Sequence, residues 1–190
     1  KRINKFDHLP KKFIFFPGRL SYAKGVDKLA KIFTKIKNED YYLIIAGSDS
    51  GDGSVTEAKR IISIFSKTKR VIWFESIEEA GSLYYLYEKA SITLLSSIEE
   101  GLPNRLSESI ALGTPVISFN VGAVKHLLNE RLGFLIKPFD LDLYASSLDA
   151  YLDDEELQSS LSQNCKKFGE IYLDENKIMP KLTDNILKSL

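Results

Sequence analysis

Short apolar runs alternate along the chain with longer stretches in which apolar residues recur at helical spacing. The Phe-Ile-Phe-Phe run at residues 13–16 contains no polar alternation, which predicts a strand buried on both faces. Residues 24–37 have one apolar face at the period of a helix. These two patterns predict strands at 13–16, 42–46, 71–74, 92–95, 115–118 and 134–136, and helices near 24–37, 55–67, 81–89, 104–112, 141–153, 155–168 and 175–189.

Strands and helices that alternate through short loops predict crossover connections and a parallel sheet. We expect an α/β, Rossmann-like fold, with an open, mostly parallel sheet of about six strands and helices on both faces. With 190 residues and no repeat, low-complexity tract or internal linker, the chain suits a single domain across 1–190. Residues 171–190 are predicted to form a C-terminal amphipathic helix that covers this domain.

Composition and charge exclude several classes of protein. The 26 basic and 26 acidic side chains cancel, so no overall field attracts nucleic acid, and an anion site must be local. The single cysteine, Cys165, excludes an intrachain disulfide and a multi-cysteine metal site, and we expect it either to pack inside the domain or to lie on the plain surface. No apolar run approaches the roughly 20 residues of a membrane span, and no signal peptide is visible.

The segment from Glu100 to Glu108 reads Glu-Gly-Leu-Pro-Asn-Arg-Leu-Ser-Glu and links the fourth predicted strand to a helix. This order places free helix N–H groups at the carboxyl end of a strand, where open α/β sheets bind ligands and where phosphate is attracted. Carboxylates on either side could accept hydrogen bonds from both ends of a nucleotide-sugar. Two plain alternatives stay open: Glu108 suits the helix dipole, and Glu100 could be an ordinary loop residue.

A second polar segment, residues 17–25, follows the first predicted strand and reads Pro-Gly-Arg-Leu-Ser-Tyr-Ala-Lys-Gly. Gly18 permits a tight exit from the strand. Arg19 and Lys24 bracket a helix start; arginine can grip phosphate with two donors, while lysine acts as a point charge. Taken alone, this spacing favours a solvated surface.

Together, the two segments resemble glycosyltransferase family 4, whose members are retaining enzymes with the GT-B fold. Glu100 and Glu108 match the family's Glu-x7-Glu motif, residues 109–117 fit the pattern that follows it, and residues 18–25 resemble its donor-phosphate signature. The resemblance covers about residues 13–170. It implies the C-terminal, donor-binding domain of a GT-B enzyme, and because the chain starts at Lys1 without Met, we expect the N-terminal acceptor domain to be absent.

The resemblance also implies the residue roles. Glu100 would contact the donor sugar hydroxyls, and Glu108 the ribose of the nucleotide. Arg19, Lys24 and backbone N–H groups around 104–106 would stabilise the departing diphosphate, so the expected catalytic residues are Glu100, Arg19 and Lys24. The expected donor-binding residues are Gly18, Arg19, Lys24, Gly47, Ser76, Glu100, Gly101, Leu102, Asn104, Arg105, Leu106 and Glu108.

Three positions depart from the family pattern. Arg105 stands where an apolar residue is usual, and it could either add phosphate-binding charge or lie on the surface. Glu75 replaces a common glycine beside the base, which leaves the shape of the base pocket open. His126 stands in place of an acidic residue, and we expect a structural role for it on a short helix.

The implied function is retaining transfer of a hexosyl unit from a UDP- or GDP-linked donor to a sugar or lipid-linked acceptor, in polysaccharide or glycoconjugate biosynthesis. We expect no cofactor and no metal, since no Asp-x-Asp motif lies near a strand end. We expect a cytoplasmic protein, where nucleotide-sugars are made, with peripheral contact of the parent at the inner membrane face. The isolated chain is expected to bind donor but transfer little sugar.

Two alternatives remain. A GT-B epimerase acting on a nucleotide-sugar would share the architecture but should not need the full Glu100–Glu108 arrangement with both cations. A non-catalytic or dinucleotide-binding Rossmann module is the other alternative, although the first predicted strand lacks a Gly-x-Gly-x-x-Gly turn.

Overall fold

A computed structural model of the chain describes residues 6, 8–53, 56, 70–77, 79–101 and 103–173. Six strands form one sheet in the order β3-β2-β1-β4-β5-β6, and all neighbouring strands pair in parallel. The predicted fold class is confirmed. The strands are β1 Phe13–Pro17, β2 Tyr42–Ala46, β3 Val71–Phe74, β4 Ile92–Leu95, β5 Val116–Phe119 and β6 Gly133–Ile136.

The described helices follow the sequence pattern closely. The first begins later than predicted, because Gly25 adopts a left-handed backbone with φ of 67° and caps it. The predicted helices at 55–67 and 175–189 lie outside the described residues, apart from Thr56. None of the described helices has the length and apolar character needed to cross a membrane. They are α1 Val26–Lys35, α2 Ala80–Lys89, α3 Asn104–Ala111, α4 Leu141–Leu152, α5 Glu155–Tyr172 and a 3-10 helix at Val124–His126.

Apolar side chains cover both faces of the sheet. Along β1, Ile14 and Phe16 join the larger core cluster, while Phe13 and Phe15 join a smaller cluster with α2. The helices pack as neighbours, α1 against α4 and α3 against α5. Cys165 of α5 is fully buried, and burial raises the pKa of its thiol to about 12. Of the two roles expected for this cysteine, packing and plain surface, the structure shows packing.

The strand order creates a crevice between β1 and β4. The chain first extends the sheet from β1 through β2 and β3, and then returns to place β4 on the other side of β1. Ligands of open α/β sheets bind at the carboxyl ends of the strands at such a reversal. Two loops leave the sheet here, and they touch at Gly25, where a side chain would overlap the Ser96 carbonyl. Ser96 Oγ donates to the Gly25 carbonyl at 2.9 Å, which fixes one loop against the other.

Candidate functional site

Two adjoining clefts open at the carboxyl ends of β1 and β4. The first, about 330 Å³, is lined by Gly47, Ser76, Tyr87 and Glu108 among others, and is called here the Glu108 cleft. The second, about 360 Å³, is called the Glu100 cleft. Three residues line both clefts and therefore form their junction: Gly18, Arg19 and Arg105.

Glu100 is held by three donors that share one of its oxygens. Oε1 accepts hydrogen bonds from Lys24 Nζ at 2.8 Å, Arg105 Nη2 at 2.8 Å and Ser97 Oγ at 2.6 Å. No described residue donates to Oε2, which is left for a ligand. Burial acts to raise the pKa of Glu100, but the hydrogen bonds from Lys24 and Ser97 and the charges of Arg105 and Lys24 outweigh it and lower that pKa. Glu100 is therefore a carboxylate at neutral pH.

The backbone of Glu100 is fixed by the loop that follows β5. Gly122 has φ of 53°, and a side chain there would overlap the Glu100 carbonyl oxygen. Ala123 N–H donates to the same oxygen at 3.3 Å. The Gly122–Ala123 pair thus supports the loop that carries Glu100.

Glu108 is held differently, by one uncharged donor. Tyr87 of α2 donates its hydroxyl to Glu108 Oε2 at 2.9 Å. Tyr87 is fully buried, and burial together with the Glu108 charge raises its pKa, so the hydroxyl keeps its proton. No described residue bonds Oε1 of Glu108, so this carboxylate also keeps one oxygen for a ligand.

The three cations of the site differ in how firmly they are held. Arg19 is exposed, and no described residue pairs with its guanidinium. Lys24 is half-buried and bonded to Glu100. Arg105 is the most enclosed: its side chain is 15% exposed, and Nη1 donates to the Pro17 carbonyl at 2.6 Å. The structure therefore brings the predicted cations together and places Arg105 in the cleft wall, not on the outer surface.

The start of α3 supplies fewer free N–H groups than the sequence predicts. No described residue accepts from the N–H of Asn104 or Arg105. Leu106 differs, since its N–H donates to the Pro103 carbonyl at 2.9 Å and its side chain is fully buried. The first turn of the helix already uses the Leu106 N–H, which leaves the N–H groups of Asn104 and Arg105 as the predicted phosphate donors.

The remaining predicted residues are placed as follows. Gly47 lines the Glu108 cleft, and a side chain there would overlap the Gly18 carbonyl, so the two loops touch through backbone atoms. Ser76 and Glu75 are exposed on the rim of the same cleft. Gly101 is exposed and lines neither of the two clefts, and Leu102 lies outside the described residues.

Two supporting residues were not predicted from the sequence. Ser97 lies three positions before Glu100, and Tyr87 lies in a helix with two other tyrosines, so neither stands out in the sequence. His126 lies on a short 3-10 helix, as expected, and its side chain is exposed. Within the described residues, no group of three or more His, Cys, Asp or Glu side chains is arranged to hold a metal ion.

The arrangement suits a ligand with hydroxyl groups at both ends and negative charge in the middle. Each end of the site offers one carboxylate oxygen with no described protein partner, and the junction offers guanidinium groups. Carboxylates accept hydrogen bonds from sugar hydroxyls, and arginine binds phosphate with paired donors.

Curated proteins of similar sequence are named as glycosyltransferases. A curated uncharacterized glycosyltransferase of Haemophilus influenzae is 28% identical over 173 residues, which is 89% of this chain and 47% of that protein. A Campylobacter jejuni protein, named as an α-1,4-N-acetyl-D-galactosaminyltransferase acting on an undecaprenol-diphosphate-linked glycan, is 30% identical over 85% of this chain and 45% of its own length. This chain therefore spans about half the length of these relatives.

The fold is shared with solved structures. Anabaena Alr3699/HepE, solved in complex with UDP, superposes with a TM-score of 0.81 at 19% identity, covering 95% of this chain and 50% of that one. A family model described as "Glycosyl transferases group 1" matches residues 1–168. With this match over most of its length, the chain belongs to the group 1 glycosyltransferase family.

Proposed function

We propose that this chain binds a nucleotide-diphospho-sugar and that its parent protein transfers the hexosyl unit with retention of configuration, as a member of glycosyltransferase family 4. The observation that carries the proposal is the pair of clefts joined by guanidinium groups, with an available carboxylate oxygen in each. The size of each cleft, about 330 and 360 Å³, suits one half of such a donor.

The nucleoside would occupy the Glu108 cleft and the sugar the Glu100 cleft. In this orientation Glu108 Oε1 accepts hydrogen bonds from the ribose hydroxyls, and Glu100 Oε2 accepts them from the sugar. The diphosphate then crosses the junction at Gly18 and Arg19. The reverse orientation would place the smaller hexose in the cleft lined by Ile77, Leu83 and Tyr87, whose apolar surface suits a base better.

The chemical role of this chain is to stabilise the leaving group. As the bond between the sugar carbon and the diphosphate breaks, negative charge grows on the phosphate oxygen. In this proposal Arg19 and Lys24, which line the Glu100 cleft, supply the positive charge that stabilises this oxygen and lowers the barrier. Glu100 orients the sugar and is not a nucleophile. We propose that these cations serve in place of a divalent metal and that no cofactor takes part.

The named relatives support a role in glycoconjugate assembly. The HepE structure contains UDP, and the Campylobacter transferase acts on a lipid-linked glycan. By extension, we propose a UDP- or GDP-linked donor, a sugar or lipid-linked acceptor, and work at the cytoplasmic face of a membrane. Because the chain spans about half the length of its relatives, we also propose that the acceptor binds outside these residues and that this chain alone transfers little sugar.

A thermal-shift panel with UDP, GDP, ADP, CMP and NAD tests donor binding. At 100 times its dissociation constant a ligand adds about 2.7 kcal/mol to the free energy of unfolding, which raises the Tm of a chain of this size by roughly 5–10 °C. We expect one nucleoside diphosphate to give this shift, and the Arg19→Ala/Lys24→Ala variant to lose it. Lys35→Ala is the matched control, because Lys35 pairs with Asp142 on the surface.

The same panel separates the alternatives. A larger shift with NAD than with any nucleoside diphosphate would point to a dinucleotide-binding module. No shift with any ligand would contradict the proposed donor site in this chain. Product analysis on the full-length parent then distinguishes a new glycoside, which the proposal expects, from a free epimer.

A further inference from the structure

Arg105 occupies the one place that a ligand spanning both clefts has to cross. It lines the Glu108 cleft and the Glu100 cleft, together with Gly18 and Arg19. A side chain at Gly18 would overlap Arg105 Nη1, so the bare backbone of Gly18 leaves room for the guanidinium at the junction. Building on the proposed function, we infer that Arg105 is a third diphosphate-binding cation and that it sets the preference of the site for diphosphates over nucleosides.

The hydrogen bonds of Arg105 hold it in position but leave donors available. A guanidinium has five N–H donors in a fixed plane. Arg105 uses one from Nη1 for the Pro17 carbonyl at 2.6 Å and one from Nη2 for Glu100 Oε1 at 2.8 Å. The unused donors suffice for a phosphate oxygen without breaking either bond. Both terminal nitrogens of the guanidinium are already fixed by the protein, so the side chain loses little rotamer entropy when a phosphate binds.

Arg105 also contributes to the net positive charge of the Glu100 cleft. Three cations line this cleft, Arg19, Lys24 and Arg105, and Glu100 is its single acidic lining residue. The difference, three minus one, leaves an excess of two positive charges, which matches the dianion of a diphosphate bridging two sugars. Without Arg105 two cations and one carboxylate remain, so the excess falls to one positive charge.

The test compares affinity for UDP with affinity for uridine, which shares the base and ribose but has no phosphate. The probes are UDP by isothermal titration calorimetry and uridine by NMR titration, on the 190-residue chain. GDP and guanosine replace them if the wild type prefers GDP. We expect Arg105→Gln to weaken UDP binding at least about tenfold, the scale of a lost hydrogen bond to a charged group, and to leave uridine binding unchanged.

Two further variants keep the outcome interpretable. Arg70→Gln is the matched control: Arg70 is also half-buried and donates to a backbone carbonyl, that of Asn38 at 3.1 Å, but it lines neither cleft. It should leave both affinities unchanged. Arg105→Lys keeps the charge but cannot bond Pro17, Glu100 and phosphate in one plane, so it should recover part of the lost UDP affinity. It also provides a second, conservative variant if Arg105→Gln is too unstable to titrate.

Equal losses for UDP and uridine would overturn the inference, because Arg105 would then only shape the site. Unchanged UDP affinity in Arg105→Gln would overturn it as well. In both cases the wild type still binds UDP, so the proposed function stands. A wild-type chain that binds neither UDP nor GDP contradicts the proposed function, and the inference fails with it.

Discussion

The two carboxylates of the site, Glu100 and Glu108, each leave one oxygen available, but the protein holds the other oxygen with charged donors at Glu100 and with a neutral donor at Glu108. Glu100 and Glu108 each have one oxygen fixed by the protein and one with no described partner. The donors to Glu100 include two cations, whereas the single donor to Glu108 is the neutral hydroxyl of Tyr87. Glu100 thus lowers the net positive charge of its cleft, whereas Glu108 offers a hydrogen-bond acceptor and has no cationic partner among the described residues. The same substitution should therefore have different consequences at the two positions.

Glu108→Gln should have the largest effect on affinity. It removes the charge from the carboxylate proposed to accept from the ribose, so we expect UDP and uridine to lose about tenfold in affinity alike, as hydrogen bonds to charged groups contribute about 1.5–3 kcal/mol. Titration of both ligands checks this. Glu99→Gln is the control, because Glu99 is exposed and lines neither cleft. A loss confined to UDP would place the diphosphate, and not the ribose, at Glu108.

Gly122→Ala should disturb the Glu100 cleft through the backbone. Gly122 has a left-handed φ of 53°, so alanine should lower the free energy of unfolding by at least about 1–2 kcal/mol, and its Cβ would push on the Glu100 carbonyl. Gly101→Ala is the control, since no atom lies within 4 Å of a Cβ built there. Urea unfolding of both variants measures the difference, and equal stabilities would show that the loop after β5 does not support Glu100.

Glu100→Gln should change affinity in the opposite direction to Glu108→Gln. Loss of the carboxylate frees positive charge for the diphosphate, so UDP should bind roughly two- to fivefold more tightly, the scale of a partly exposed charge interaction. The preference for a UDP-sugar over UDP should fall, because the acceptor for the sugar hydroxyls is weaker. Calorimetry with UDP and UDP-glucose tests both statements. Weaker UDP binding would mean that Glu100 chiefly orders its cationic partners.

The effect of Glu100 on the pH dependence of stability should be the smallest of these differences. The folded chain lowers the pKa of Glu100, because hydrogen bonds and cations outweigh the opposing effect of burial. Its stabilisation is therefore complete above the unfolded value of about 4.3 and is lost as the pH falls through the lower folded pKa. Urea unfolding from neutral to acidic pH should show a wild-type advantage over Glu100→Gln that shrinks below that value. A constant difference would contradict the stated cause.

The fold was predictable because its signals are local. The uninterrupted apolar run of β1 and the helical spacing after it required only short windows of sequence. The start of α1 was misplaced by the left-handed Gly25, whose conformation depends on contact with Ser96, far along the chain. Loop contacts of this kind leave no periodic pattern in the sequence. The residues at which helices begin near the site were therefore less predictable than the helices themselves.

The charged residues of the site were predictable, but their partners were not. The motifs pointed to Glu100 and Glu108, yet Tyr87 reaches Glu108 from a different helix, and nothing in its local sequence indicates this. The Leu106 N–H was assigned to a phosphate from helix geometry and from the family resemblance, whereas the turn formed with Pro103 uses it. The contact between Tyr87 and Glu108 depends on tertiary structure, whereas the turn between Pro103 and Leu106 is local and leaves no pattern of apolar residues.

The burial of Cys165 has a practical consequence for labelling. This residue is the only cysteine of the chain, it is enclosed in the core, and its raised pKa keeps the thiol protonated at neutral pH. Maleimide reagents require an accessible thiolate and should leave it unmodified. A Ser76→Cys variant would therefore accept a single fluorophore at the rim of the Glu108 cleft, and its emission could report nucleotide occupancy in real time without removal of the native cysteine.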